Sequence, residues 1–141
     1  MSLRRDRILV DTGVLFGFYD SKDDYHEICK QFLLSCTGEL ITTAICIAEV
    51  VWLLRSGRRT QNELLTHLSK RIYTTEPLTA EDFRRIAELN DQYSDLPGDF
   101  ADLALVSISE RLDIADIATV DSDFDVYRRY RKQPFNRVFY P

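Results

Sequence analysis

The sequence predicts an α/β protein, a single-domain three-layer α/β/α architecture with a mostly parallel central sheet. Three observations carry this. Short apolar runs alternate with helical segments along the whole chain. The clearest strand candidates, Ile8-Leu9-Val10 and Ile117-Ala118-Thr119-Val120, are runs suited to a sheet covered on both faces. The length, 141 residues, fits one domain with an adequate core.

The elements follow in order. Arg7-Ile8-Leu9-Val10 reads as a buried strand ending at Asp11. Asp23 and Asp24 are acidic starters for a helix to about Cys36, with Ile28, Phe32 and Leu33 on one face and Gly38 as its breaker. Leu40-Ile41-Thr42 is a second strand. Ala44 to Arg55 is an apolar helix stopped by Ser56-Gly57. Thr60-Gln61-Asn62-Glu63 has capping-box spacing and starts a helix to about Lys70. Ile72-Tyr73-Thr74 is a third strand. Thr79-Ala80-Glu81-Asp82 opens a helix to about Tyr93, and a loop over Ser94 to Gly98 follows. Asp99 to Arg111 is a helix, Ile117 to Val120 a fourth strand ending at Asp121, and Val138-Phe139-Tyr140 a short last strand.

Composition excludes several classes. Hydrophobic residues make up 45% and charged residues 29%, which is neither disordered nor fibrous. The longest nearly uncharged apolar stretch, Ala44 to Leu54, is too short for a membrane span and contains Glu49. No signal peptide is evident. Cys29, Cys36 and Cys46 form no CxxC pair, so they read as small buried hydrophobes in a reducing compartment. The expected location is the cytoplasm. A net charge of −5 is unlike a general nucleic-acid binder, so any basic contact surface is local or a cation mediates the contact.

Several acids look misplaced. In an open sheet ligands sit beyond the carboxyl ends of the strands, which is where Asp11 and Asp121 fall. Glu49 has Ile45, Cys46, Trp52 and Leu53 as helix-face neighbours, and an unpaired carboxylate on an apolar face costs several kcal/mol. A basic group, a proton, a metal ion or an edge position reaching solvent would each resolve that. Asp99 is a natural N-cap, and the helix dipole favours an acid at Asp102. Capping nevertheless explains Asp99 better than Asp102 inside Phe100-Ala101-Asp102-Leu103-Ala104-Leu105. Asp11-Thr12-Gly13 and Asp121-Ser122-Asp123-Phe124 also suit plain turns or caps. Clustered, four such acids need protons or cations, because carboxylates about 4 Å apart repel by about 4 kcal/mol at an effective dielectric of about 20. Oxygen ligands select Mg²⁺ or Mn²⁺ over zinc. The two histidines, His26 and His67, lack HExxH spacing and read as surface or helix-face residues, which argues against a zinc site or a Ser-His-Asp triad. Phosphate-binding glycine loops are absent.

Taken together these segments resemble the PIN-domain family, small metal-dependent nucleases that include the VapC toxins of bacterial toxin–antitoxin pairs. The resemblance rests on Ile8-Leu9-Val10-Asp11-Thr12-Gly13-Val14-Leu15, on Thr42-Thr43-Ala44 to Ala48-Glu49-Val50, on Asp95-Leu96-Pro97-Gly98-Asp99-Phe100-Ala101-Asp102-Leu103-Ala104-Leu105, and on Ile117 to Phe124. It spans nearly the whole chain, and the order and spacing of the four parts make it specific. It departs at Leu103, where a small residue commonly follows the third acid.

The resemblance implies a PIN-like nuclease domain over residues 1–141 and a catalytic, metal-binding set of Asp11, Glu49, Asp102 and Asp121. Thr12, Asp99, Thr119 and Asp123 match supporting positions. The implied activity is hydrolysis of RNA phosphodiesters with Mg²⁺ or Mn²⁺. The implied partners are an RNA substrate, a cognate antitoxin protein and a second copy in a homodimer.

Two basic runs, Arg55-Arg58-Arg59 and Arg128-Arg129-Arg131-Lys132, are each open to a phosphate-binding or a solvated-surface reading. The helix Ile47 to Leu54, with Trp52, is open to an interface or a core reading. Two rivals remain. An aspartate-nucleophile phosphatase would need an acid where Gly13 stands. A non-catalytic PIN-like module binding RNA or protein would use the same fold.

Overall fold

Ile8, Leu9 and Val10 are all buried, as a strand with helices on both faces requires. In the computed structural model, which describes residues 7–96 and 99–139, they form β1 (Arg7–Val10) at the middle of a sheet. Its neighbours are β2 (Glu39–Thr42) and β4 (Asp116–Ala118), both parallel to it. Outside them lie β3 (Tyr73–Thr75) and β7 (Asn136–Phe139), also parallel, giving the order β3-β2-β1-β4-β7 among the described residues. The predicted α/β/α fold with a parallel sheet is the one observed.

Side chains alternate across the strands, which splits the core into two layers. Leu9, Ile41 and Ile117 pack with α5 (Ala80–Gln92) and α6 (Phe100–Arg111). Ile8, Val10, Leu40 and Ala118 face the opposite layer. That layer holds buried residues of α1 (Thr12–Tyr19), α2 (His26–Ser35), α3 (Ala44–Leu53) and α4 (Arg58–Ser69). The chain walks outward from β1 through β2 to β3, then returns to β4 on the other side of β1. The order therefore reverses between β1 and β4, and their carboxyl ends border a crevice.

Several local expectations need correction. Helix α1 has no counterpart in the predicted elements, because Thr12, Gly13, Val14 and Gly17 are weak helix formers. Asp11 caps it, and a Cβ on Gly17 would meet Cys29 Sγ at 2.7 Å, so the glycine permits close approach of α2. On α2, which begins at His26, Ile28 is exposed while Cys29 and Leu33 are buried. Helix α4 begins at Arg58 with Gly57 as N-cap, so Thr60 lies inside it and not at its start. The capping box at Thr79 and Asp82 on α5 is formed as predicted.

Strand β3 lies one residue later than predicted, and β4 stops at Ala118, which leaves Thr119 and Val120 in the loop before Asp121. A 3₁₀ turn (Ser122–Asp125) and a short hairpin of β5 (Arg128–Arg129) and β6 (Gln133–Pro134) precede β7. Strand β7 starts at Asn136, two residues earlier than expected. Pro97, Gly98 and Tyr140, which belong to predicted segments, lie outside the described residues.

All three cysteines are free thiols, Cys29 and Cys46 buried and Cys36 half-buried. Both histidines bond within the fold, His26 Nδ1 to the Gly17 carbonyl at 2.8 Å and His67 Nδ1 to the Tyr19 hydroxyl at 2.7 Å. Among the described residues no helix is long and apolar enough to cross a membrane.

Candidate active site

Asp11 leaves the end of β1 into the crevice. Its backbone N–H still donates to the Ala118 carbonyl of β4 at 3.1 Å, which ties its position to the sheet. One carboxylate oxygen accepts from the Thr12 N–H at 2.8 Å, and the other accepts from the Thr119 hydroxyl at 2.9 Å. Thr119 Oγ1 also accepts from the Asp121 N–H at 2.9 Å. A single buried hydroxyl thus sets Asp11 and Asp121 relative to each other. Asp121 in turn accepts from the Asp123 N–H at 2.9 Å.

Asp102 arrives from the other side, on the first turn of α6. Asp99 is the N-cap and accepts from the Asp102 N–H at 2.8 Å. The Tyr127 hydroxyl donates to Asp102 Oδ2 at 3.2 Å. This tyrosine is fully buried, and burial together with Asp102 raises its pKa. Carboxylate oxygens of Asp11, Asp102 and Asp121 all lie within 4.8 Å of one another.

Glu49, the fourth predicted acid, stands on α3 and lines the same cavity. Its Oε1 accepts from the Thr12 hydroxyl at 2.6 Å. The cavity has a volume of about 310 Å³; Trp52, Leu53 and Val120 form its apolar wall. Around Glu49, Cys46 packs in the core, while Trp52 and Leu53 form cavity wall and surface. Trp52 is 63% exposed, while Ile47, Val50 and Leu54 carry the core contacts of that segment.

The electrostatics are those of a site short of positive charge. Asp11 and Asp102 are each 5% exposed. Burial, followed by the neighbouring acids Asp121 and Asp99 and opposed by the Thr119 and Thr12 donors, pushes Asp11 up to about 6. Burial and then the charges of Asp11, Asp99 and Asp121 push Asp102 up to about 8. Asp123 is raised by burial and by Asp121. Among the described residues no Lys or Arg forms an ion pair with Asp11, Asp102 or Asp121. Like charges at this spacing repel by roughly 3 kcal/mol per pair at an effective dielectric of about 20. An all-oxygen donor set, preorganised and uncompensated, fits a hard divalent cation such as Mg²⁺ or Mn²⁺.

A family model for the PIN domain matches residues 8–130. The chain belongs to the PIN-domain family. Among solved structures, that of VapC20 from Mycobacterium tuberculosis, described as a sarcin-ricin loop cleaving toxin, has a similar fold. The two share 20% identity and superpose with a TM-score of 0.79 over 90% of this chain and 99% of that one. No curated protein sequence matches the chain.

The two basic runs of this PIN domain differ. Arg129 is 4% exposed and bonds to Asp113 at 2.8 Å and to the Ser109 carbonyl. Arg128 donates to the carbonyls of Asp125, Val126 and Tyr127, and Arg131 pairs with Glu88 at 3.4 Å. Arg128 and Arg129 thus bond within the fold, while Arg131 and Lys132 are exposed. Arg55 covers the Trp52 ring at 4.3 Å and donates to the Trp52 carbonyl. Arg55, Arg58 and Arg59 have no carboxylate partner among the described residues.

Gly13 bears on the phosphatase alternative. A Cβ there would meet Val120 Cγ2 at 2.4 Å, so the second acid that chemistry needs would fit only if Val120 shifted. Tyr127 was not visible as a site residue in the sequence. Its partner lies 25 residues away, and its surroundings, Phe124 and Tyr93, read as ordinary aromatic core.

Proposed function

We propose that this PIN domain is a Mg²⁺- or Mn²⁺-dependent ribonuclease that hydrolyses RNA phosphodiester bonds, and that it serves as the toxin of a type II toxin–antitoxin pair. The observation that carries the reading is the convergence of Asp11, Asp102 and Asp121 within 4.8 Å, the first two buried and the third half-buried, without a cationic partner among the described residues. The similar solved structure is of a toxin that cleaves an RNA loop, which supports the same chemistry and role here. The proposal takes residues 1–141 as one nuclease domain acting in the cytoplasm. Its partners are an antitoxin protein and a second copy of the chain.

The geometry supports the following roles. Asp11, Asp102 and Asp121 would hold the cation; Thr119 fixes the first and third, and Tyr127 and Asp99 fix the second. A divalent cation bound there would supply charge neutralisation at the phosphodiester and would lower the pKa of a bound water. Glu49, which lines the cavity and is anchored through Oε1 to Thr12, would accept a proton from the attacking water. No protein nucleophile is needed.

Calorimetric titration of Mn²⁺ into the parent, Asp11→Asn and Asp102→Asn tests the site without knowledge of the RNA. Binding in the parent that weakens sharply in both variants, with RNA hydrolysis stimulated by the ion and stopped by chelation, is the expected result. A parent that binds no Mn²⁺ at millimolar concentration and leaves RNA intact would move the protein to the non-catalytic binding module.

A further inference from the structure

The β5–β6 hairpin turns through Tyr130 and Arg131, whose φ angles are 52° and 68°. The Lys132 N–H donates to the Arg129 carbonyl at 3.1 Å, so the two are the corner residues of a four-residue turn. Positive φ at both corners is the type I′ pattern, which ordinarily takes Asn-Gly. For a tyrosine and an arginine, Cβ crowds the backbone in this region and the conformation is strained. A contact from outside the turn has to hold it. Glu110 of α6 supplies that contact. Its Oε2 accepts from the Tyr130 N–H at 2.6 Å, and its backbone carbonyl accepts from the Tyr130 hydroxyl. Arg85 of α5 fixes the carboxylate with two bonds, Nε to Oε1 at 2.8 Å and Nη2 to Oε2 at 2.9 Å. Arg131 adds a longer pairing with Glu88, at 3.4 Å.

The strand that enters this turn begins beside the acid site. Tyr127, immediately before β5, donates its hydroxyl to Asp102. The Arg128 N–H donates to the Tyr93 hydroxyl at 2.8 Å, and the Tyr93 and Tyr127 rings meet edge to face at 5.1 Å. Asp102 and Glu110 belong to the same helix, about two turns apart. Helix α6 thus holds the segment at both ends, the turn at Glu110 and the tyrosine at Asp102. Resting on the ribonuclease reading, we propose that Glu110 is a positioning residue for the acid site. It keeps the turn in its strained form, and that form sets Tyr127 against Asp102. Without it the turn relaxes to negative φ, β5 loses its register with β6, and the Tyr127 hydroxyl leaves Asp102. Glu110 does not line the acidic cavity, so its influence on the cation passes through the hairpin.

The test is calorimetric titration of Mn²⁺ into the full chain, which requires no RNA, with thermal melts in chelator beside it. Glu110→Ala removes the hold and leaves Arg85 without that partner. Tyr130→Pro keeps the Arg85–Glu110 pair and forbids positive φ, so it breaks the turn alone. Tyr130→Asn with Arg131→Gly gives the turn residues that adopt it unaided. Tyr127→Phe removes the hydroxyl through which the effect passes.

Glu110→Ala and Tyr130→Pro should each weaken Mn²⁺ by up to about tenfold, as far as Tyr127→Phe does and no further. Adding the Tyr130→Asn and Arg131→Gly pair to Glu110→Ala should return the affinity to that of the parent. Its Tm should stay low, because Arg85 still lacks its partner. In a Tyr127→Phe background, Glu110→Ala should cause no further loss of affinity. A purely structural role for Glu110 would show neither that rescue nor that masking. Unchanged affinity in Tyr130→Pro, a loss that the two turn substitutions do not restore, or losses that multiply in the double variant each overturn the proposal and leave the ribonuclease reading standing. A parent that neither binds Mn²⁺ nor hydrolyses RNA removes the ribonuclease reading and this proposal together.

Discussion

Helix α6 serves two buried aspartates that behave in opposite ways. Near its amino end it carries Asp102, 5% exposed; further along, its Ser107 and Arg111 reach across to Asp82 of α5, 2% exposed. Burial pushes both carboxyls up. For Asp82 that push is outweighed by the Thr79 backbone N–H, the Arg111 guanidinium and the Ser107 hydroxyl, and the net direction is down. For Asp102 the neighbours are Asp11, Asp99 and Asp121, which add to the push, and one tyrosine hydroxyl opposes them. Depth alone therefore says little about function. What distinguishes the two sites is whether the protein itself completes the charge. At Asp82 it does, and the acid clamps α5 to α6. At Asp102 it does not, and the fold keeps an unbalanced site that a cation can complete.

Exchanging each acid for its amide should separate the two most sharply. Asp102→Asn should cut RNA hydrolysis by more than about a hundredfold, beyond the effect of losing an outer-shell group. It should leave the Tm of the metal-free protein unchanged or higher, because it relieves repulsion. Asp82→Asn should do the reverse. Loss of a carboxylate from a buried ion pair costs about 3 kcal/mol, a fall in Tm of roughly 6–12 °C for a chain of this size. Hydrolysis below the transition should persist. Thermal melts and a single RNA assay on the two variants read both outcomes, and a stability loss in Asp102→Asn to match that of Asp82→Asn would erase the distinction.

pH sharpens the same contrast. Asp102 and Asp11 are raised in the folded state, to about 8 and about 6, from an ordinary value of 3.8. Their protonated forms favour folding, so that contribution is full below about 4 and is lost as pH rises through 6 to 8. Asp82 is lowered, so its contribution holds above the ordinary value and fades as pH falls below it. Melts in chelator should show stability falling between pH 6 and 8, with a flatter slope in Asp102→Asn. Saturating Mn²⁺ should remove the slope, and Mn²⁺ affinity should rise over the same interval as protons leave the ligands.

The smallest expected effect is at Tyr127. Tyr127→Phe removes the donor to Asp102 and should cost about 1 kcal/mol in stability. It should also weaken Mn²⁺ by up to about tenfold. An unchanged ion affinity would make this hydroxyl a core group and remove it from the support of the site.

Legibility varied along the chain for physical reasons. The box at Thr79 and Asp82 could be read directly, because capping is a contact between residues three apart. The same spacing at Thr60 and Glu63 misled, because Arg58 and Arg59 extend α4 back to Gly57. Helix α1 was invisible, since its glycines and β-branched residues disfavour a helix until Asp11 caps it and α2 packs against Gly17. In the site, Asp11, Asp102 and Asp121 were each marked by an acid at a strand end or within an apolar run. The predicted supporting Thr119 reaches Asp11 across 108 residues, and it does so because β1 pairs with β4.

Local chemistry in the chain was enough to specify alternating strands and helices, a covered sheet and four acids whose placement asked for a cation. These depend on short-range periodicity, capping and turn formation, all of which act between residues a few positions apart. Folding settled three further matters. It determined that three of the acids share one 4.8 Å space. It left Asp102 without a countercharge among the described residues while Asp82 received one. It also left Trp52 at the surface and drew Arg129 into the interior. Each of those depends on which long-range neighbour a side chain meets, and that follows from strand order and helix packing, which no single segment encodes.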